Sequence, residues 1–167
     1  MTYATTFKTS WGWVKITASG KGVTSIDLSP SDRPARQQSA ENNGEAASIA
    51  EEARAQLLAY IAGTRREFSL SVDWSTGTPF QRNVWKAITR IPYGRVRSYQ
   101  WVALRVGGKQ YARAVGMALG ANPVPIVVPC HRIIAHNGSL GGFSCGLPWK
   151  RRLLSLEGTL AQLRNAQ

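Results

Sequence analysis

Acidic side chains all but disappear from the second half of this chain: from residue 76 onward, Glu157 is the only Asp or Glu. Cysteine and histidine are scarce too, with two of each in 167 residues and none in the first half. Two thiols do not make a disulfide framework, which points to a reducing setting. No Cys/His spacing suits a zinc site, so no metal and no cofactor is expected. No apolar run approaches the ~20 residues that span a bilayer, so no membrane partner is expected either. Residues 1–20 show neither a basic flank ahead of an apolar stretch nor a cleavage signal. The expectation is a cytoplasmic, nuclear or nucleoid-associated protein.

What the chain does carry is positive charge, and it carries it unevenly. Up to residue 75 eight Lys/Arg balance eight Asp/Glu, whereas from residue 76 thirteen face a single Glu, so the whole net charge of +12 lies in the second half. A cationic field of this kind suits a polyanion, and in the absence of membrane signals nucleic acid is the better reading. The length allows one good core or two small ones. The break in charge suggests a scaffold unit at 1–75 and a nucleic-acid-binding unit at 76–167.

The expected fold is mixed α/β (α+β). Residues 3–7, 11–17 and 23–28 alternate as strands, 46–62 read as a helix with Ile49, Ala53, Leu57 and Ile61 on one face, and 67–74 alternate as a further strand. Residues 29–44 are polar and rich in Ser, Pro and Asn, as in a mobile loop. Thr78-Pro79-Phe80-Gln81 is a capping box opening a helix that stops before Pro92. A short helix after Ser98, the pair Gly107-Gly108 and a second helix over 110–119 make a helix-turn-helix pattern. That second helix is built of small residues around Arg113, which suits close packing or a nucleic-acid groove. Residues 124–128 form an apolar approach to the thiol, and Ile133-Ile134 continues as strand. In the last helix, from Trp149 to Glu157, Lys150-Arg151-Arg152 stand where the dipole disfavours cations, which suggests an external anion or a solvated cluster.

Pro129-Cys130-His131-Arg132 puts one of the two thiols beside one of the two imidazoles. A free thiol titrates near ~8.5, so a neighbouring His, itself oriented by a carboxylate, is what would keep the sulfur ionised as a nucleophile. Glu157 is the one available carboxylate. Against this stand an inert buried cysteine, a Cys130–Cys145 disulfide and a Glu157 that merely ends a helix; His136 reads as a surface turn residue. A transcription factor using the helix-turn-helix alone leaves the thiol unexplained, and a thiol hydrolase leaves the basic half unexplained.

The region around this motif resembles the O6-alkylguanine-DNA alkyltransferases, also called methylated-DNA–protein-cysteine methyltransferases. Gly120-Ala121-Asn122-Pro123, Pro129 to Ile134 and Gly142-Phe143-Ser144 carry the resemblance. Phe80 to Trp85, Ile91-Pro92-Tyr93-Gly94, Ser98-Tyr99, Ala112 to Gly116 and Leu153 to Gly158 follow the family in the same order. The resemblance implies a ribonuclease-H-like sheet-plus-helix unit ahead of a mostly helical domain. It also implies repair by direct reversal: one irreversible transfer of a methyl or larger alkyl group from O6-alkylguanine in double-stranded DNA to Cys130, with O4-methylthymine an open second substrate. His131 would take the thiol proton through a water, Glu157 would orient His131, and Tyr99 would hydrogen-bond the departing base. Ser144, Ile133 and Phe143 would line the base site, the carbonyls of Cys130 and Ile133 receiving the exocyclic amine. Arg113 would hold the space of the flipped nucleotide in the minor groove, Asn122 would join the reading helix to the thiol-bearing strand, and Gln100 and Pro125 would add to the binding surface. A monomer is expected, with cooperative loading on DNA left open. A relative that only binds lesions would lack the reactive cysteine.

Cys145 departs from the family, which more often has glycine there, and Phe143 stands where tyrosine is common. If the Cys145 side chain narrows the base site, Cys145→Gly should react faster than the parent with benzyl-type substrates in single-turnover assays; equal rates refute this.

Overall fold

The computed structural model describes residues 2–28 and 44–163. The stretch 29–44, expected as a mobile loop, lies outside the described residues except for Gly44, which begins a helix. The chain divides into two compact units, Met1–Thr76 and Gly77–Gln167.

The first unit is a three-stranded antiparallel sheet with one helix. Strands β1 (Thr2–Thr9), β2 (Gly12–Ser19) and β3 (Gly22–Asp27) lie in sequence order. Alternation drives the pairing: Tyr3, Thr5 and Phe7 of β1 and Val14, Ile16 and Ala18 of β2 are buried on one face. That face packs against helix α1 (Gly44–Ile61), which buries Ala46, Ala50, Ala53, Leu57 and Tyr60 at helical spacing. The alanines leave room for the sheet, and Leu57 and Tyr60 fill it.

Residues 67–74 do not form the expected strand. They touch β3 through one isolated parallel bridge, Val23 to Val72, with the Val23 amide donating to Ser71 O and the Asp73 amide to Val23 O, each at 2.9 Å. Upstream, a side chain replaces the ladder. Gln56 of α1 accepts from the Ser69 amide at 2.9 Å and donates back to the Ser69 carbonyl at 3.3 Å, satisfying the backbone that strand pairing would have used. Gly22 permits this approach: at φ +156, a Cβ there would lie 2.5 Å from Ser71 O.

The second unit is mostly helical. Thr78 and Gln81 form the reciprocal capping box that starts α2 (Pro79–Ile88). The two-residue strand β4 (Arg97–Ser98) leads into α3 (Tyr99–Val106), capped by the Ser98 hydroxyl; Gly107 and Gly108 turn the chain at positive φ. The expected second helix is split into a single 3-10 turn at Lys109–Tyr111 and α4 (Ala112–Gly120). The core of this trio holds Val84, Trp85 and Ile88 against Val102, Ala103, Val115 and Ala118. The Trp85 indole N–H donates to Ala118 O at 2.7 Å, which makes part of the small-residue face of α4 an ordinary packing surface. Strand β5 (Ile133–Ile134) pairs in parallel with β4, and α5 (Leu147–Leu156) ends at Glu157, its C-cap.

The segment before the thiol is not a strand. Residues 124–128 fold back on themselves, with the Val128 amide donating to Val124 O at 2.9 Å and Cys130–Arg132 forming a 3-10 turn. Pro125 within the run and Pro129 just after it have no N–H for a ladder. Among the described residues no helix is long and apolar enough to cross a membrane.

Gln56→Ala should leave the Ser69 amide and carbonyl without their partner, at a cost of about 2 kcal/mol. Urea unfolding of the full chain should read that loss; a change within error would mean water replaces the amide freely.

Candidate active site

A concavity of about 340 Å³ opens beside Cys130. Tyr99, Leu119, Phe143 and Ser144 line it, together with Gly116, Gly120 and Gly142, which add no side-chain bulk. Its size is at the low end for a small-ligand site, about right for a single flat ring system. Two elements place the thiol at its floor. The 3-10 turn carries Cys130, and Asn122, just past the end of α4, fixes the loop leading into it. The Asn122 amide donates to Val128 O at 2.9 Å while its oxygen accepts from the Val124 amide at 3.0 Å. Within this loop Ile126 is held at φ +76, a region a β-branched residue rarely enters, and it is 1% exposed. Strain of this kind persists only where surrounding contacts over-determine the backbone, and the two Asn122 bonds supply such contacts.

Behind the thiol lies a buried charge cluster. His131 Nε2 sits 3.1 Å from both oxygens of Glu157. A carboxylate only accepts, so this nitrogen carries the proton and Nδ1 is left as a bare acceptor. Nδ1 is buried and has no hydrogen-bond partner among the described residues. The stronger claim on Glu157 comes from Arg132, whose Nε donates to both carboxylate oxygens at 2.9 and 3.0 Å, while its Nη1 donates to Ile91 O at 2.6 Å. Burial works to raise the Glu157 pKa, but the hydrogen bonds and charges of His131 and Arg132 outweigh it and bring it down to about 2. For His131 burial is the largest influence and holds the imidazole below its ordinary value, against the upward pull of Glu157. The imidazole is therefore neutral, and Arg132 and Glu157 cancel each other's charge.

The expected resting thiolate is corrected by this environment. Burial pushes the Cys130 thiol up to about 11, against smaller downward pulls from an Asn122 hydrogen bond and the charge of Lys150. A neutral imidazole supplies no positive charge to hold a thiolate, so the sulfur keeps its proton at rest. Cys130 and Cys145 are both thiols, not joined in a disulfide, which removes that alternative.

Lys150 is also placed differently from the sequence expectation. It does not face an external anion: it is 0% exposed, and its ammonium donates to Ile133 O at 2.7 Å and Gly142 O at 3.1 Å. Burial brings it down to about 8. It thus ties the glycine-rich wall of the pocket to β5. Across the opening, Tyr99 packs on Gly141, where φ is +70 and a Cβ would come within 3.0 Å of the phenol oxygen. Burial raises the Tyr99 pKa, so the phenol keeps its proton and can donate.

Of the residues singled out from the sequence, Tyr99, Cys130, Phe143 and Ser144 meet at the pocket, with His131 and Glu157 behind it. Ile133 is buried on β5; its carbonyl already accepts from Lys150, and the Cys130 carbonyl accepts from the Ile133 amide. Arg113 is exposed on the first turn of α4, Gln100 is half-buried on α3, and Pro125 is buried in the Asn122-held loop, none of them lining the pocket. Sequence reasoning missed Arg132 and Lys150. Both left a signal: a lone carboxylate beside an imidazole with arginine next in the chain has two suitors, and Lys150 falls at i, i+3, i+4 with Leu153 and Leu154.

Residues 79–159 match the family model described as 6-O-methylguanine DNA methyltransferase, DNA binding domain. Residues 2–74 match the one described as 6-O-methylguanine DNA methyltransferase, ribonuclease-like domain. A methylated-DNA–protein-cysteine methyltransferase of Mycobacterium bovis is 51% identical over 102 residues, 61% of either chain, so this chain spans about three fifths of that relative's length. The constitutive enzyme of that name from Bacillus subtilis is 42% identical over 146 residues, 86% of this chain and 87% of the relative. A solved structure of Mycobacterium tuberculosis OGT in complex with DNA has a TM-score of 0.76 at 36% identity, covering 98% of this chain and 96% of that one.

A carboxyl lowered by folding contributes stability above its ordinary pKa and loses it as pH falls through the folded value. Between the ordinary 4.5 and about 2, the chain should therefore lose roughly 3 kcal/mol from Glu157 alone. Denaturation across that window should show the step, and Glu157→Gln should flatten it. An identical acid profile in the variant would contradict the geometry.

Proposed function

Because the chain belongs to the 6-O-methylguanine DNA methyltransferase family, we propose that it repairs alkylated DNA by moving the alkyl group from the O6 atom of guanine onto Cys130. The observation that carries this reading is the thiol at the floor of a one-base pocket with a neutral, carboxylate-oriented imidazole next to it in the chain. The Cys130 sulfur attacks the alkyl carbon and forms an S–C bond as the C–O6 bond breaks, its electron pair passing into the purine ring. The thiol proton goes to His131 Nδ1 through one water. Glu157 stabilises the imidazolium that forms, against the opposing charge of Arg132, and the proton later returns to the guanine. Tyr99 donates a hydrogen bond to a ring nitrogen of the departing base. A thioether has no easy leaving route, so each molecule reacts once.

The pocket admits a base only when it has left the stack, which costs a few kcal/mol. Exposed Arg113 on α4 is suited to hold the vacated space, and Asn122 links the end of that helix to the loop bearing the thiol. The solved relative in complex with DNA supports DNA as the partner. In this reading the DNA is double-stranded, α4 enters its minor groove, and the acting form is a monomer. O6-methylguanine is the lesion proposed; O4-methylthymine is a second substrate for the same assay.

Mixing the protein with duplex containing O6-methylguanine should add one methylene to the peptide carrying Cys130, with product never exceeding protein. An unchanged mass, or product beyond one equivalent, refutes the proposal. Cys130→Ala should keep wild-type DNA affinity, whereas Arg113→Ala should slow transfer by roughly tenfold or more, since holding a base extruded is worth a few kcal/mol.

A further inference from the structure

A second concavity, of about 560 Å³, lies between α2 and α3 and shares no residue with the thiol pocket. Lys86 of α2, Arg90 in the turn after α2 and Arg105 of α3 line it, together with Asn83. All four residues are exposed, and none of the three cations has a carboxylate partner among the described residues. In this half of the chain no other outcome is available, since the single carboxylate, Glu157, is buried with Arg132. Arg105 is also held in place: its guanidinium carbon stands 3.6 Å from the centroid of the Trp101 ring. A stacked guanidinium keeps its in-plane N–H donors free for an anion.

The direction in which this concavity opens follows from helix geometry. Val84, Trp85 and Ile88 are the buried residues of α2, and Trp85 bonds to α4. Asn83 and Lys86 lie on the opposite face, at i and i+3, and Arg90 follows two residues past the end of the helix. Lys86 therefore points away from α4, the element that carries Arg113. Three cations spread around one concavity suit successive charges on a backbone better than one compact anion.

We infer that Lys86, Arg90 and Arg105 form a second binding surface for the phosphodiester backbone of DNA, taking a duplex other than the one seated on α4. The inference rests on the reading of α4 as the lesion-bearing duplex's seat. Its consequence is a protein that holds two DNA segments at once, gaining local concentration while one is searched for damage.

The test compares wild type with Lys86→Ala/Arg90→Ala/Arg105→Ala and with the charge-keeping Lys86→Arg/Arg90→Lys/Arg105→Lys. The double variant Lys86→Ala/Arg90→Ala, confined to exposed positions of α2 and the turn after it, serves if the triple does not fold. Wild type on a bead-bound lesion duplex should capture a labelled second duplex, and the alanine variants should not. The log–log salt slope for lesion-free duplex should fall by ~0.9 for each phosphate no longer neutralised, with the charge-keeping variant retaining the wild-type slope. Single-turnover methyl transfer to a short duplex at saturating protein should be unchanged in all. Equal capture and slope in wild type and alanine variants overturn the inference while leaving the primary DNA reading intact, whereas a flat slope in wild type removes that reading itself. Loss of methyl transfer in the alanine variants overturns the claim that the two surfaces are separate.

Discussion

One carboxylate, buried among cations, sets the chemistry of the reactive half. Glu157 is the only acid in a stretch that carries thirteen basic residues, and it lies in the interior, bonded to Arg132 and His131. A charge in such a place is costly unless each of its lone pairs is answered. Arg132 answers most of them and neutralises the site; His131 Nε2 answers the rest. With the charge cancelled and one ring nitrogen committed, the imidazole is left neutral with its other nitrogen bare. That is the state a proton acceptor needs.

The remaining geometry serves this cluster from three sides. Asn122 fixes the loop that delivers Cys130 to the 3-10 turn, storing strain at Ile126. Lys150 spans from β5 to the glycine-rich wall, so the pocket's boundary is tied to the same strand that follows His131. Glycines at 116, 120 and 142 leave the pocket open where side chains would close it. The resting thiol is not a loosened one. Its proton is held by burial.

Much of this was legible from the residues. The strands of the first unit, the capping box at Thr78 and the helix-turn-helix punctuation at Gly107-Gly108 are local signals, and local structure follows them. The adjacency of Cys130 and His131 and the solitude of Glu157 pointed to residues that the fold brings together, the thiol at the pocket and the His131–Glu157 pair behind it. What failed was non-local. Whether residues 67–74 pair as a strand depends on Gln56, more than ten positions earlier, offering its amide to the Ser69 backbone. Whether Lys150 is solvated or buried depends on the carbonyls of Ile133 and Gly142 meeting it. The protonation of Cys130 depends on burial and on an arginine that neutralises its neighbour's partner. Spacing along a chain carries none of these.

The account turns on the proton of His131. Nitrogen-15 NMR of the imidazole in the free protein at neutral pH reads it directly. The account predicts a neutral ring with the proton on Nε2 and Nδ1 bare. A proton on Nδ1, or an imidazolium with both nitrogens protonated, would contradict it.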